Sequence, residues 1–187
     1  MPRPNGGLAA HPEGGAVLDL LKTWPVGAPV PILSVPQPLA AAIAWLGKDV
    51  ENRADWTHTY RGPVLIRSGT HQPTPQEIAD VLTLARRDGV QEDELRQFSR
   101  MAKDMPDLAI PFGSLVAIAE LYDVLPSGHA IPEGHLAENS PWGSPEAGVW
   151  LCLRRVTPVM PMSFAGAGEE FGVPFEVAAS LRPLSAG

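Results

Sequence analysis

The groups most able to do chemistry lie close together, in Lys48-Asp49-Val50-Glu51-Asn52-Arg53 and, a few residues on, in Trp56, His58, Tyr60 and Arg61. A carboxylate such as Glu51 can activate water, and a lysine whose pKa falls on burial can relay a proton or stabilise an oxyanion. The same stretch also suits binding. Lys48, Arg53, Arg61 and Arg67, with Arg154 and Arg155, are of the type that meets phosphates, while Trp56, Tyr60 or Trp142 can stack on an unpaired base. Against both stands a plainer reading, in which the charges form exposed ion pairs worth little each and each aromatic packs a core or a corner. In a regular strand Lys48 and Glu51 point to opposite faces, so they line one cleft only if the segment bends.

A further carboxylate stands far along the chain. Leu115, Ala117, Ala119 and Leu121 fall on one face of a predicted strand over 114–124, and Val116, Ile118, Glu120, Tyr122 and Val124 on the other, so both faces are apolar except at Glu120. Burying a carboxylate there is costly unless it is paired or hydrogen-bonded. Glu120 is therefore a third catalytic candidate, expected to converge with Lys48 and Glu51.

These side chains need rigid neighbours. Ile32, Leu33 and Val35 predict a short strand, and Pro36 and Pro38 fix φ in a way that suits a helix start. Leu39, Ile43 and Leu46 recur at helical spacing, and Gly47 stands where a left-handed cap is expected. The charged, aromatic loop from Lys48 to Arg61 is thus held between a thin buried helix and the strand Val64-Leu65-Ile66, a mounting typical of ligand-handling groups. Further on, Thr74-Pro75-Gln76-Glu77 predicts a capping box opening a helix with Ile78, Val81, Leu82 and Ala85 inward. A second helix follows from about Glu92 to Met105, so residues 74–105 form a helical insertion with a packing role. Val149 to Val156 predicts another strand, and Phe175-Glu176-Val177-Ala178 a closing one.

Ser34-Val35-Pro36-Gln37-Pro38, then the lysine-to-arginine run 48–53, then Tyr60-Arg61-Gly62-Pro63 before an apolar strand, resemble in order and spacing the signature of the ASCH domain, a branch of the PUA-like superfamily. The resemblance implies an α+β fold, a small PUA-like β-barrel with flanking helices over residues 29–187, behind a Pro/Gly-rich leader, 1–28. It implies a cleft beside the helix opened by Gln37 and Pro38 that takes RNA or a modified nucleoside in preference to DNA. The candidate binding residues are then Gln37, Pro38, Arg53, Trp56, Tyr60, Arg61 and Arg67. One enzyme of the family removes the acetyl group from 4-acetylcytidine with a lysine, a threonine three residues later and a glutamate on a later strand. Lys48 and Glu120 match the first and last, and Glu51 replaces the threonine. Hydrolysis of a modified cytidine nucleoside by an amidohydrolase with Lys48, Glu51 and Glu120 as catalytic residues is one implied activity. A metal-dependent ribonuclease, as reported for some relatives, and a non-catalytic protein-interaction module using the leader and the loop 125–148 are the alternatives.

Composition narrows the classes. A chain of 187 residues, 44% hydrophobic, fits one domain with a sizeable core, and 21 prolines with 18 glycines favour turns and short strands over a helical bundle. A formal charge of −7 argues against holding any duplex by charge alone, so recognition of nucleic acid must be local. With Cys152 as its one cysteine the chain forms neither an intrachain disulfide nor a cysteine-based zinc site, and a reducing, cytoplasmic setting is the natural expectation. No run reaches the ~20 apolar residues of a membrane span. His129 and His135, with Asp123, Glu133 and Glu138, supply metal-ligand types, but in a Pro/Gly-rich loop without a tight ligand spacing, so neither metal nor cofactor is expected. Cys152, inside a predicted strand, reads as a small hydrophobe.

Overall fold

The computed structural model describes residues 27–165 and 172–184, together with Asp19, Leu21, Lys22, Trp24 and Pro25. Most of the expected leader lies outside them. Five strands, β1 (Ile32–Val35), β2 (Val50–Arg53), β3 (Gly62–Ser68), β4 (Ser114–Pro126) and β5 (Val149–Ser163), form one sheet in the order β1-β3-β4-β5-β2. β1 and β3 run parallel and every other pair is antiparallel. The sheet curls into a half-barrel, and its edges are β1 and β2. With the helices α1 (Leu39–Trp45), α2 (Pro75–Arg87), α3 (Glu92–Asp104), α4 (Pro106–Ala109) and α5 (Phe175–Ser180), the fold is α+β.

The alanines of α1 explain its position. Ala41 and Ala42 pack with Val50, Cys152 and the inward residues of the insertion, Val81, Ala85, Leu95 and Phe98. Ala40, Ile43 and Ala44 pack instead with Leu33, Val64, Leu121, Leu151 and Leu153. Side chains this small let the helix lie between two cores with no exposed face, and Gly47 then leaves it at a φ of +69°, the left-handed conformation expected of a cap. A third cluster joins Ile32, Leu65, Leu115, Ile118 and Val159 to Val173 and Leu181 of the C-terminal segment.

The capping box is formed as read: Glu77 N–H donates to Thr74 Oγ1 (3.2 Å) and Thr74 N–H to the Glu77 carboxylate (2.7 Å), with Pro75 in the first turn. Other elements depart from expectation. Residues 50–53 are a strand, not part of a loop, and β5 runs on past Val156 to Ser163. Strict alternation along β4 is broken by register shifts between Leu115 and Ala117, Ile118 and Glu120, and Leu121 and Asp123. As a result Leu115 shares a cluster with Ile118, while Val116 joins Ala117, Ala119 and Leu121. The expected closing strand over 175–178 is the helix α5, since a short apolar run behind a proline satisfies either periodicity. Single bridges from Val173 to Val30 and from Pro183 to Val159 attach this segment to the sheet. Among the described residues no helix is long and apolar enough to cross a membrane.

Candidate functional site

After Gly47, Lys48 N–H returns to the Ala42 carbonyl (3.1 Å) and the chain bends before β2 begins. The bend brings Lys48 Nζ to 3.0 Å from Glu51 Oε2, with the two residues only 1% and 3% exposed. The condition set by their spacing is thereby met. Lys48 Nζ also donates to the Val50 carbonyl and lies 5.9 Å from the centre of the Trp142 ring. Arg53 Nη1 stands 3.9 Å from Glu51 Oε1, and Arg53 Nη2 donates to the Ser34 carbonyl.

Strand geometry says what these bonds do. The Asp49 and Arg53 carbonyls accept from Leu153 and Gly148 on the β5 side, so by alternation the Val50 carbonyl points off the free edge of β2. The Pro31 and Val35 carbonyls accept from Leu65 and Gly69 on the β3 side, so the Ser34 carbonyl points off the free edge of β1. Lys48 covers one edge and Arg53 reaches across to the other, with Glu51 between the two cations. Charges this deeply buried persist only when paired.

Glu120 is not with them. Glu51 is in register with Leu151 and Glu120 with Arg154, three residues further along β5, so the two carboxylates project from opposite faces of the sheet. Arg154 Nε and Nη2 donate to the two Glu120 oxygens (2.9 and 2.8 Å), and Arg155 Nη1 donates to Oε2 (3.1 Å). The Arg154 hydrogen bonds, aided by the charges of both arginines, hold the Glu120 pKa below the usual carboxylate range against the opposing effect of burial. The structure thus assembles a pair, Lys48 and Glu51, where a triad was expected, because parity along β5 separates the third member.

The remaining predicted residues divide in the same way. Gln37 is buried with both ends of its amide engaged, Nε2 donating to the Pro111 carbonyl (2.7 Å) and Oε1 accepting from Ala41 N–H (3.1 Å), and Pro38 is buried beside it. Arg67 Nε donates to the Phe164 carbonyl (3.1 Å). Arg61 is partly exposed, 3.6 Å from Asp123. Trp142 is a packing residue: its indole donates to Asp88 at the end of α2 (2.8 Å) and its carbonyl accepts from Asn52 Nδ2 (2.8 Å). Asn52 Oδ1 in turn accepts from Ser144 N–H (2.8 Å), so this residue, passed over in the sequence, fastens the loop 127–148 to β2. His135 ties the same loop to β4, with Nε2 at 3.3 Å from Asp123 Oδ2 and Nδ1 accepting from Ala137 N–H (3.1 Å). Among the described residues no three His, Cys, Asp or Glu side chains are grouped to hold a metal. Cys152 is buried, which pushes its thiol up to about 12, so it is not a thiolate at neutral pH.

Trp56 and Tyr60 meet at a cavity. It has a volume of about 260 Å³ and lies between Pro29, Pro31, Ile32 and Leu33 on the β1 side and Trp56, His58 and Tyr60 on the segment after β2, with Val64, Leu121 and Gly172 completing the wall. That volume is near the small end for ligand pockets, ~300–1,000 Å³. The Trp56 and His58 rings meet edge-on, 5.0 Å apart at 74°. Trp56 Nε1 is buried without a hydrogen-bond partner. Tyr60 Oη donates to the Pro63 carbonyl (2.7 Å), and burial raises its pKa so that the phenol stays neutral. Gly62, at a φ of +136°, makes room for this ring, since a Cβ there would lie 2.8 Å from Tyr60 Oη. Among the described residues no lysine or arginine lines the cavity.

No protein-family model and no curated protein matches the chain.

Proposed function

We propose that the chain is an ASCH domain of the PUA-like type that binds an unpaired base of RNA, or a nucleoside, in the cavity walled by Trp56, His58 and Tyr60. The observation that carries this reading is the cavity: aromatic and aliphatic side chains surround a space large enough for a flat ring, and the segment that supplies the aromatics directly follows the lysine-to-arginine run. The order of the three motifs and the curled five-stranded sheet support the same assignment. Binding is favoured over hydrolysis. Lys48 and Glu51 are buried and absent from the cavity wall, and both Glu120 oxygens accept hydrogen bonds from arginines. On this reading Arg61, which follows Tyr60 and is exposed, meets a phosphate of a strand whose base enters the cavity. A cytoplasmic setting belongs to the same proposal and suits a reduced, buried Cys152.

The test is calorimetric titration of nucleosides and of short unpaired RNA and DNA at low and high salt. RNA binding that weakens with salt and with Arg61→Ala, beside nucleoside binding indifferent to both, supports the reading. Absence of binding by any of them refutes it.

A further inference from the structure

We infer that residues 54–61 form a strap that opens to admit a guest to the cavity and that the bound guest then holds shut. The inference rests on the binding reading above and goes beyond it by naming the part of the site that moves.

The two sides of the cavity are built differently. On the β1 side, Val30 exchanges two backbone hydrogen bonds with Val173, both 2.8 Å, and the Pro31 carbonyl accepts from Leu65 N–H (2.9 Å), so this wall is tied into the sheet. The facing wall comes from the segment between β2 and β3. Among the described residues no backbone N–H or carbonyl of 54–60 bonds to another backbone group, and the Tyr60 carbonyl accepts only from the guanidinium of its neighbour Arg61 (2.9 Å). Backbone groups without a protein partner are satisfied by water, so swinging this segment outward breaks no backbone hydrogen bond. Its ends are fixed: the Arg53 carbonyl accepts from Gly148 N–H (2.9 Å), and Gly62 pairs with Leu121 where β3 begins. Gly62, at a φ of +136° that few other residues adopt, supplies a hinge at the second end.

Among the described residues, side chains alone hold the strap down. Trp56 and Tyr60, each only partly buried, pack against the cluster that contains Leu33, Val64 and Leu121, and Tyr60 Oη donates to the Pro63 carbonyl (2.7 Å). A segment with few buried apolar contacts and a solvated backbone is among the first to open. A flat ring in the cavity lies between the strap and the sheet and touches both only when the strap is closed. The guest therefore favours the closed form and shifts the population toward it.

Trypsin reads the opening, because Arg61 lies in the strap while Arg67 and Arg154 lie within β3 and β5. In the full, unaltered chain, cleavage after Arg61, followed by mass spectrometry, should precede cleavage after Arg67 and Arg154. Uridine or adenosine, whichever calorimetry shows to bind, is then added at about ten times its Kd. Cleavage after Arg61 should slow roughly tenfold, the factor by which a guest confined to the closed form depletes the open one. Cleavage after Arg61 no sooner than after the two strand arginines would show that the segment opens only with the whole fold, and overturns the inference. Binding without any slowing also overturns it, since the guest then enters a cavity whose wall stays put, and leaves the binding reading intact. Failure of both nucleosides to bind would remove the binding reading itself, and the inference with it.

Discussion

Lys48 Nζ lies 3.0 Å from Glu51 Oε2 in a setting where neither residue is more than 3% exposed. Removing one member of such a pair strands the other's charge in the core, which costs ~3–5 kcal/mol, whereas replacing both with apolar groups of similar size is often neutral. Lys48→Met and Glu51→Gln are each expected to lose that much in chemical denaturation, a large part of the ~5–15 kcal/mol typical of a domain. The double variant Lys48→Met/Glu51→Leu should recover most of it. Losses that simply add would show that the two side chains do not act as a unit.

Arg53 separates a scaffold role from a ligand role. Its guanidinium spans from Glu51 to the Ser34 carbonyl on the opposite edge strand, a reach that depends on a planar fork of donors. Arg53→Lys keeps the charge and loses the fork. Stability should fall by ~1.5–3 kcal/mol, the range for a hydrogen bond to a charged group. Unchanged stability with weakened RNA binding would instead assign Arg53 to phosphate.

The acid limb of stability should carry the signature of Glu120. Its pKa is held down in the folded chain by Arg154 first and Arg155 second, while in the unfolded chain it returns to about 4.3. The contribution is therefore present above about pH 4.3 and is lost as pH falls through the lower folded value. Glu120→Gln should be less stable than the unaltered chain near neutral pH, modestly so because water screens a partly exposed group, and the difference should vanish in acid. A difference that persists at low pH would point to packing.

Much of this arrangement was legible in the residues, and the part that was not has a definite cause. The capping box at Thr74 and Glu77, the helix ending at Gly47 and the meeting of Lys48 with Glu51 are local, set by contacts within a few positions. Glu120 was misplaced because its face depends on the register of β4 against β5, and the shifts at Leu115, Ile118 and Leu121 leave no mark in the pattern of apolar residues. Gln37 and Trp142 look like ligand groups in isolation. Only their distant partners, Pro111 for one and Asp88 and Asn52 for the other, show them to be holding the scaffold.

Asn52 should govern the loop 127–148. Asn52→Ala removes the bonds to the Trp142 carbonyl and the Ser144 N–H together. Limited proteolysis is expected to cut this loop several times faster in the variant, with nucleoside affinity unchanged because Asn52 does not line the cavity. Equal cleavage rates would show that Trp142 and His135 hold the loop unaided.

The most direct test of the central claim is an equilibrium titration of short unpaired RNA into the chain and into Trp56→Ala and Tyr60→Ala. Stacking on an aromatic side chain contributes ~1–3 kcal/mol per base, so each variant should bind roughly five- to 150-fold more weakly while keeping its fold by circular dichroism. Binding of equal strength in all three proteins, or none in the unaltered chain, would contradict the assignment of the cavity as the site of recognition.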